Sequence, residues 1–135
     1  MGRFRIDRTA PSVVTVVHNG GPLVAVCHVA DRWFARLVGL LGTADLRQDE
    51  GVWISPCRSV HTWGMRVTIA CAFVDENGRV LRVVDPLPPR RSVSARGARA
   101  VLEASAGAFA RVRVGDVVTA EPGSQAAARA PVAGK

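Results

Sequence analysis

Apolar residues in this chain fall in short runs separated by polar turns, and most runs are β-branched or alternating, the pattern of strands. Residues 12–17 and 23–29 are two such runs. His18-Asn19-Gly20-Gly21-Pro22 divides them as a five-residue turn signal, which predicts a hairpin. Residues 31–41 break the pattern: Asp31 can cap a helix, Trp33, Phe34, Leu37, Val38, Leu40 and Leu41 recur at helical spacing, and Gly42 stands where a helix stops. One short α-helix is predicted there. Residues 43–51 are polar and turn-like, with room for a single helical turn at 44–47, and 52–55 form a short strand ended by Pro56.

Asn77-Gly78 between strand-like runs is the strongest local hairpin signal, because a type I′ turn needs positive φ at both central residues. The implied register sets Glu76 against Arg79, Val74 against Leu81, Ala72 against Val83 and Ala70 against Asp85 on one face. This face is apolar, with an ion pair expected at its tip. The other face, pairing Asp75 with Val80, Phe73 with Arg82 and Cys71 with Val84, is mixed and predicted to be only partly covered. Pro86-Leu87-Pro88-Pro89-Arg90-Arg91 is a stiff extended loop, since proline fixes φ and removes a donor. A strand at 98–104, a helical turn near 107–112 and a last strand at 116–121 complete the pattern. The sum is a mainly β domain, a small sandwich or barrel of about seven short strands with one early helix.

Length fits one domain able to bury about two thirds of its unfolded surface. Its expected limits are 12–121, between a charged arm at 1–11 and a tail at 122–135 too poor in apolar residues to order itself. No apolar run approaches the roughly 18 residues of a membrane span, and the charged start lacks the apolar stretch and cleavage site of a signal peptide. A cytoplasmic location is expected. Three cysteines, Cys27, Cys57 and Cys71, make an odd, widely spaced set that reads as free thiols in a reducing compartment. The net charge of +7 raises nucleic acid as a partner, but 17 of the 18 basic residues are arginine and they are scattered along the sequence. This reads as the codon bias of a GC-rich bacterial genome more than as a binding face.

Chemistry clusters in residues 55–65, Ser-Pro-Cys-Arg-Ser-Val-His-Thr-Trp-Gly-Met. Arg58, His61, Thr62, Trp63 and Met65 make a donor-rich, partly aromatic candidate ligand patch at the mouth of a β domain. The bland alternative is that His61 is a structural histidine and that Trp63 and Met65 plug one end of the fold. Cys57 and His61, four apart, are weak candidates for a metal site or a Cys-His enzyme, with Asp85 or Asp116 as a distant orienting group. Against metal, ligands come in no Cys-x-x-Cys pair, and Cys27 and His28 are strand neighbours that point to opposite faces. Against catalysis, no nucleophile-elbow motif is present. No cofactor is expected.

The order of motifs resembles a known family. It comprises a helix ending in Gly39-Leu40-Leu41-Gly42, an acidic turn Asp49-Glu50-Gly51 before Val52-Trp53-Ile54, and His61-Thr62-Trp63-Gly64-Met65. Then come residues 72–80, a proline-rich loop, residues 100–104 and Val114-Gly115-Asp116-Val117. Together these resemble the bacterial and archaeal domain of unknown function 192 across about residues 23–121. The resemblance implies a compact, sandwich-like, mostly β domain with one early helix, and it carries no activity over. It also implies an aspartate where this chain has Ala70 and often an arginine where it has Thr43. Asp85, across the strand, is a possible substitute for the missing carboxylate. The reading reached is an accessory module binding a small ligand or a protein partner, the alternatives being a metal-assisted or Cys-His enzyme and a nucleic-acid binder.

Overall fold

The computed structural model describes residues 13–30, 50–65 and 67–122. The predicted helix at 31–41, the arm at 1–11 and nearly all of the tail lie outside the described residues. Within them are nine strands: β1 Val13–His18, β2 Gly21–Ala30, β3 Glu50–Ile54, β4 Ser59–His61, β5 Ile69–Val74, β6 Val80–Leu87, β7 Ser92–Ser94, β8 Ala100–Ser105 and β9 Val118–Pro122. Seven form one sheet in the order β6-β5-β8-β3-β2-β1-β9, and β4 with β7 forms a second.

The large sheet curls into a half-barrel. Its two outermost strands meet at their first residues, through an antiparallel bridge of Arg79 with Val117, Val118 N–H donating to Gly78 O (2.9 Å) and Val80 N–H to Asp116 O (2.8 Å). Edge groups that would otherwise face solvent are thereby paired. Inside the curl lies the main core, with Val16, Val24, Trp53, Leu102, Phe109 and Val118 among its buried members. Strand alternation delivers these side chains: β1 buries Val14, Val16 and His18 and turns Val13, Thr15 and Val17 outward.

The β1–β2 hairpin carries the turn expected elsewhere. Asn19 (φ 53°) and Gly20 (φ 79°) both have positive φ, and His18 pairs with Gly21, so the five-residue signal resolves into a two-residue type I′ turn. At Asn77-Gly78 only Gly78 is left-handed (φ 82°). There the Asp75 carboxylate accepts the N–H groups of Asn77 (2.8 Å) and Arg79 (2.9 Å), which holds a three-residue loop closed by Asp75 N–H donating to Arg79 O. The pairings Cys71–Val84, Ala72–Val83 and Phe73–Arg82 stand as expected, but Val74 pairs with Val80, one residue short of the predicted Leu81. The tip is therefore closed by Asp75 and not by a Glu76–Arg79 ion pair.

The expectation of a partly covered second face holds on β6, where Arg82 is exposed and Val84 half-buried, but not on β5. Every residue of β5 is buried, because the small β4–β7 sheet packs over the outer side of β5, β6 and β8. Val60, Phe73, Cys71, Leu87 and Val101 make that second core. At 106–111 the chain makes successive turns, Ala108 N–H to Ser105 O, Ala110 N–H to Gly107 O and Val112 N–H to Phe109 O, where a helical turn was predicted. The fold is mainly β, as read from the pattern.

Candidate functional site

Residues 55–65 cross from the end of β3 onto the outer layer, and the structure gives each candidate a distinct setting. Thr62 is fully buried, and its hydroxyl is saturated: it donates to Pro88 O (2.7 Å) and accepts from Arg91 N–H (2.9 Å). Its N–H donates to Arg91 O, and its carbonyl accepts from Met65 and Arg90 N–H. It thus pins the end of β4 to the proline-rich loop, behind the patch. The bond from Met65 N–H closes a turn over 62–65, with Gly64 left-handed (φ 86°) at the third position as a type II turn requires. Trp63, at the second position, is carried outward and is 61% exposed, while Met65 folds back against the outer core.

His61 is exposed beside Ser92, its partner on β7, and Val60 between Ser59 and His61 points inward. Arg58, Arg90 and Arg91 are exposed nearby in the chain, and Arg90 takes positive φ (64°). Arg82 Nη1 donates to Ser94 O (2.7 Å), tying β6 to β7. The pairing of β4 with β7 joins segments 55–74 and 86–102, which together hold six arginines and no Asp or Glu, whereas the remaining sequence holds twelve basic and eleven acidic residues. Arg58, Arg90 and Arg91, separated in the sequence, thus flank the two strands of the small sheet. The missing acids were visible in the sequence; that the two segments pair was not.

Cys57 is partly buried against both outer clusters, and its thiol donates to Ser59 O (3.1 Å). The two carboxylates considered as orienting groups have other tasks. Asp85 accepts from Gly107 N–H (2.8 Å) and Phe109 N–H (2.9 Å), holding the turns after β8. Asp116 lies 2.7 Å from His18 Nε2 and also accepts Arg113 N–H (3.0 Å); these bonds, the His18 one first, hold its carboxyl below the ordinary range. Ala70 lies fully buried in the inner core, so an aspartate here would be a buried group and not a surface one. Cys27 faces the inner core and His28 the other side, 3.6 Å from Glu50. Among the described residues no three His, Cys, Asp or Glu side chains gather as a metal-holding group, and no helix is long and apolar enough to cross a membrane.

One group escaped the sequence reading. Register places His28, Val52, Glu103, Cys71 and Val84 in a row across β2, β3, β8, β5 and β6 on the outer face. Glu103 is thus a carboxyl in the middle of a sheet, between Val52 and Cys71, and burial pushes its pKa up to about 7. Burial likewise raises Cys27 to about 12 and Cys71 further, the latter also through the nearby Glu103. A glutamate one residue beyond Val101-Leu102 gives no local signal of this.

A family profile described as "Uncharacterized ACR", domain of unknown function 192, matches residues 14–120. No curated protein sequence matches the chain. Among solved structures, the chain is similar to a protein of unknown function from Novosphingobium aromaticivorans DSM 12444, with a TM-score of 0.66 and 22% identity, covering 87% of this chain and 92% of that one. It is also similar to a Sinorhizobium meliloti 1021 protein described as a "putative transcription regulator", with a TM-score of 0.69 and 17% identity, covering 84% and 98%. At these identities the likeness is one of fold.

Proposed function

Since the chain belongs to the domain of unknown function 192 family, whose description assigns no activity, we propose from its own surface that it is a binding module. Arg58, His61, Trp63 and Met65 form the contact face on the outer layer, and Thr62 holds it in shape. The ligand is a small molecule or a segment of a partner protein. The observation that carries this reading is Trp63, 61% exposed on a turn whose first residue is a buried, fully bonded threonine. Exposed tryptophan is a common anchor of binding hot spots, where a pre-ordered side chain loses little entropy on contact. Three free thiols support a reducing compartment such as the cytoplasm.

Titration of isotope-labelled protein with inorganic phosphate, benzoate and phenyl phosphate tests the reading by nuclear magnetic resonance. Saturable shifts of the Trp63 indole and the His61 ring are expected, with phenyl phosphate binding tighter than phosphate and Trp63→Ala removing that advantage. Shifts confined to other residues, or unchanged in Trp63→Ala, would sink it.

A further inference from the structure

The hydrogen-bond phase of the outer layer shows which main-chain groups face outward. Ala95 N–H donates to Arg58 O and Thr62 N–H to Arg91 O, so residues 58, 60 and 62 turn their main-chain groups toward β7. Ser59 and His61 alternate with them and turn theirs the other way. Among the described residues β4 pairs only with β7. The Ser59 carbonyl is engaged by the Cys57 thiol and the Ser94 carbonyl by Arg82, so among the described residues the two edges keep matching groups, Ser94 N–H and both main-chain groups of Ser92 on β7, Ser59 N–H and both main-chain groups of His61 on β4; the β4 edge is the one that runs on into the exposed Trp63. Such a row is a template for one more strand.

The charge around that edge selects the strand. Exposed Arg58 precedes β4 and exposed Arg90 and Arg91 precede β7, and residues 55–65 and 86–99, which hold the two strands, contain no carboxylate. An incoming acidic segment is drawn to the edge, and basic or neutral segments gain nothing from it. Trp63, immediately beyond β4, offers an apolar surface to the end of the added strand. A single-stranded nucleic acid fits less well: it uses successive aromatics to stack successive bases, and Trp63 is the one exposed large aromatic among the described residues. Its backbone also has no N–H and C=O pattern to match a strand edge.

We propose that the outer edge of β4 captures an extended, acidic segment of a partner protein as an added strand. This deepens the binding reading above and rests on it. Ser59 and His61 give the main-chain bonds, the surrounding arginines give charge selection, and Trp63 packs at one end.

The full chain is titrated with three probes: the peptide Glu-Val-Glu-Thr-Glu-Val-Glu, the same peptide N-methylated at alternate residues, and an oligothymidylate of matched charge. The acidic peptide is expected to bind with an affinity that falls as salt rises, and to slow hydrogen exchange of the Ser59 and His61 amides about tenfold or more. N-methylation should weaken binding about tenfold, corresponding to lost main-chain bonds. His61→Pro should weaken binding about tenfold beyond His61→Ala, since both remove the imidazole and only proline also removes the N–H that faces away from β7. Equal binding of the N-methylated peptide overturns strand addition without any variant having to fold. Tighter binding of the oligonucleotide overturns the choice of partner. Silence of the peptide while phenyl phosphate still shifts Trp63 overturns this inference alone; silence of both overturns the binding reading as well.

Discussion

Glu103 sets a measurable pH dependence of stability. Its ordinary pKa of 4.5 rises to about 7 in the folded chain because β3 and β5 flank it and exclude water. Between those values the folded state holds a proton that the unfolded state has released, so stability falls as pH rises from about 4.5 to about 7 and then levels. At about 1.4 kcal/mol per pH unit the full effect is about 3 kcal/mol, and partial exposure of the side chain trims it to about 2–3 kcal/mol. Glu103→Gln imitates the protonated acid and removes the proton linkage. Urea unfolding of both proteins from pH 4.5 to 8 should show near-equal stability at the acid end and an advantage of about 2–3 kcal/mol for the variant above pH 7. The comparison cancels the titrating groups that do not interact with Glu103. A stability difference that stays constant across this range would refute the placement of Glu103 as a desolvated carboxyl.

Thr62→Val keeps the shape but deletes two side-chain bonds, leaving Pro88 O and Arg91 N–H without that partner; a loss of about 2–3 kcal/mol is expected by urea titration, against about 1 for Thr62→Ser, which keeps the hydroxyl. Native protein treated with iodoacetamide at pH 8 should gain one adduct, at Cys57, by mass spectrometry, because Cys27 and Cys71 are buried with raised pKa values; two or three adducts would contradict the packing. Gly51→Ala should cost about 1–3 kcal/mol or more in thermal unfolding, since a Cβ there would lie 2.7 Å from Glu103 O and 2.8 Å from Val24 Cγ1.

Much of the sheet was legible because its signals are local. β-Branched content and the following turn signal gave β1, Pro56 marked the end of the run that became β3, and the apolar 69–74 run announced β5. What failed was chemistry that acts through a side chain on a neighbouring turn. Asn77-Gly78 resembles a type I′ turn until Asp75 offers its carboxylate to the loop N–H groups, and the register slips by one at the tip. The second core was hidden for a different reason. Nothing within 59–61 or 92–94 says that two three-residue strands pair across 30 residues and lie over β5, so Cys71 and Phe73 seemed half-covered. The candidate patch was legible as a cluster in sequence, but the division of labour within it was not: Thr62 and Trp63 are neighbours, and one is fully buried while the other stands in solvent.

That division ties the stability of the outer layer to what it binds. A pair of three-residue strands has too few ladder bonds to persist alone, so β4 and β7 are ordered by Val60 and Val93 against the outer core, by Thr62 on the proline-rich loop and by Arg82 on Ser94. These contacts lie at the ends and underside of the layer, and none uses the outward groups of His61. A ligand on the β4 edge therefore competes with no internal bond, and its whole interaction energy adds to the order of β4. The same logic predicts where the fold is least cooperative. The inner core, closed on itself by β6 meeting β9, can remain intact while the outer layer opens, which would expose Cys71 but leave Cys27 protected. Alkylation that reaches Cys71 well before Cys27 under mild urea would show the two layers separating in that order, and simultaneous exposure of both would show a single cooperative unit.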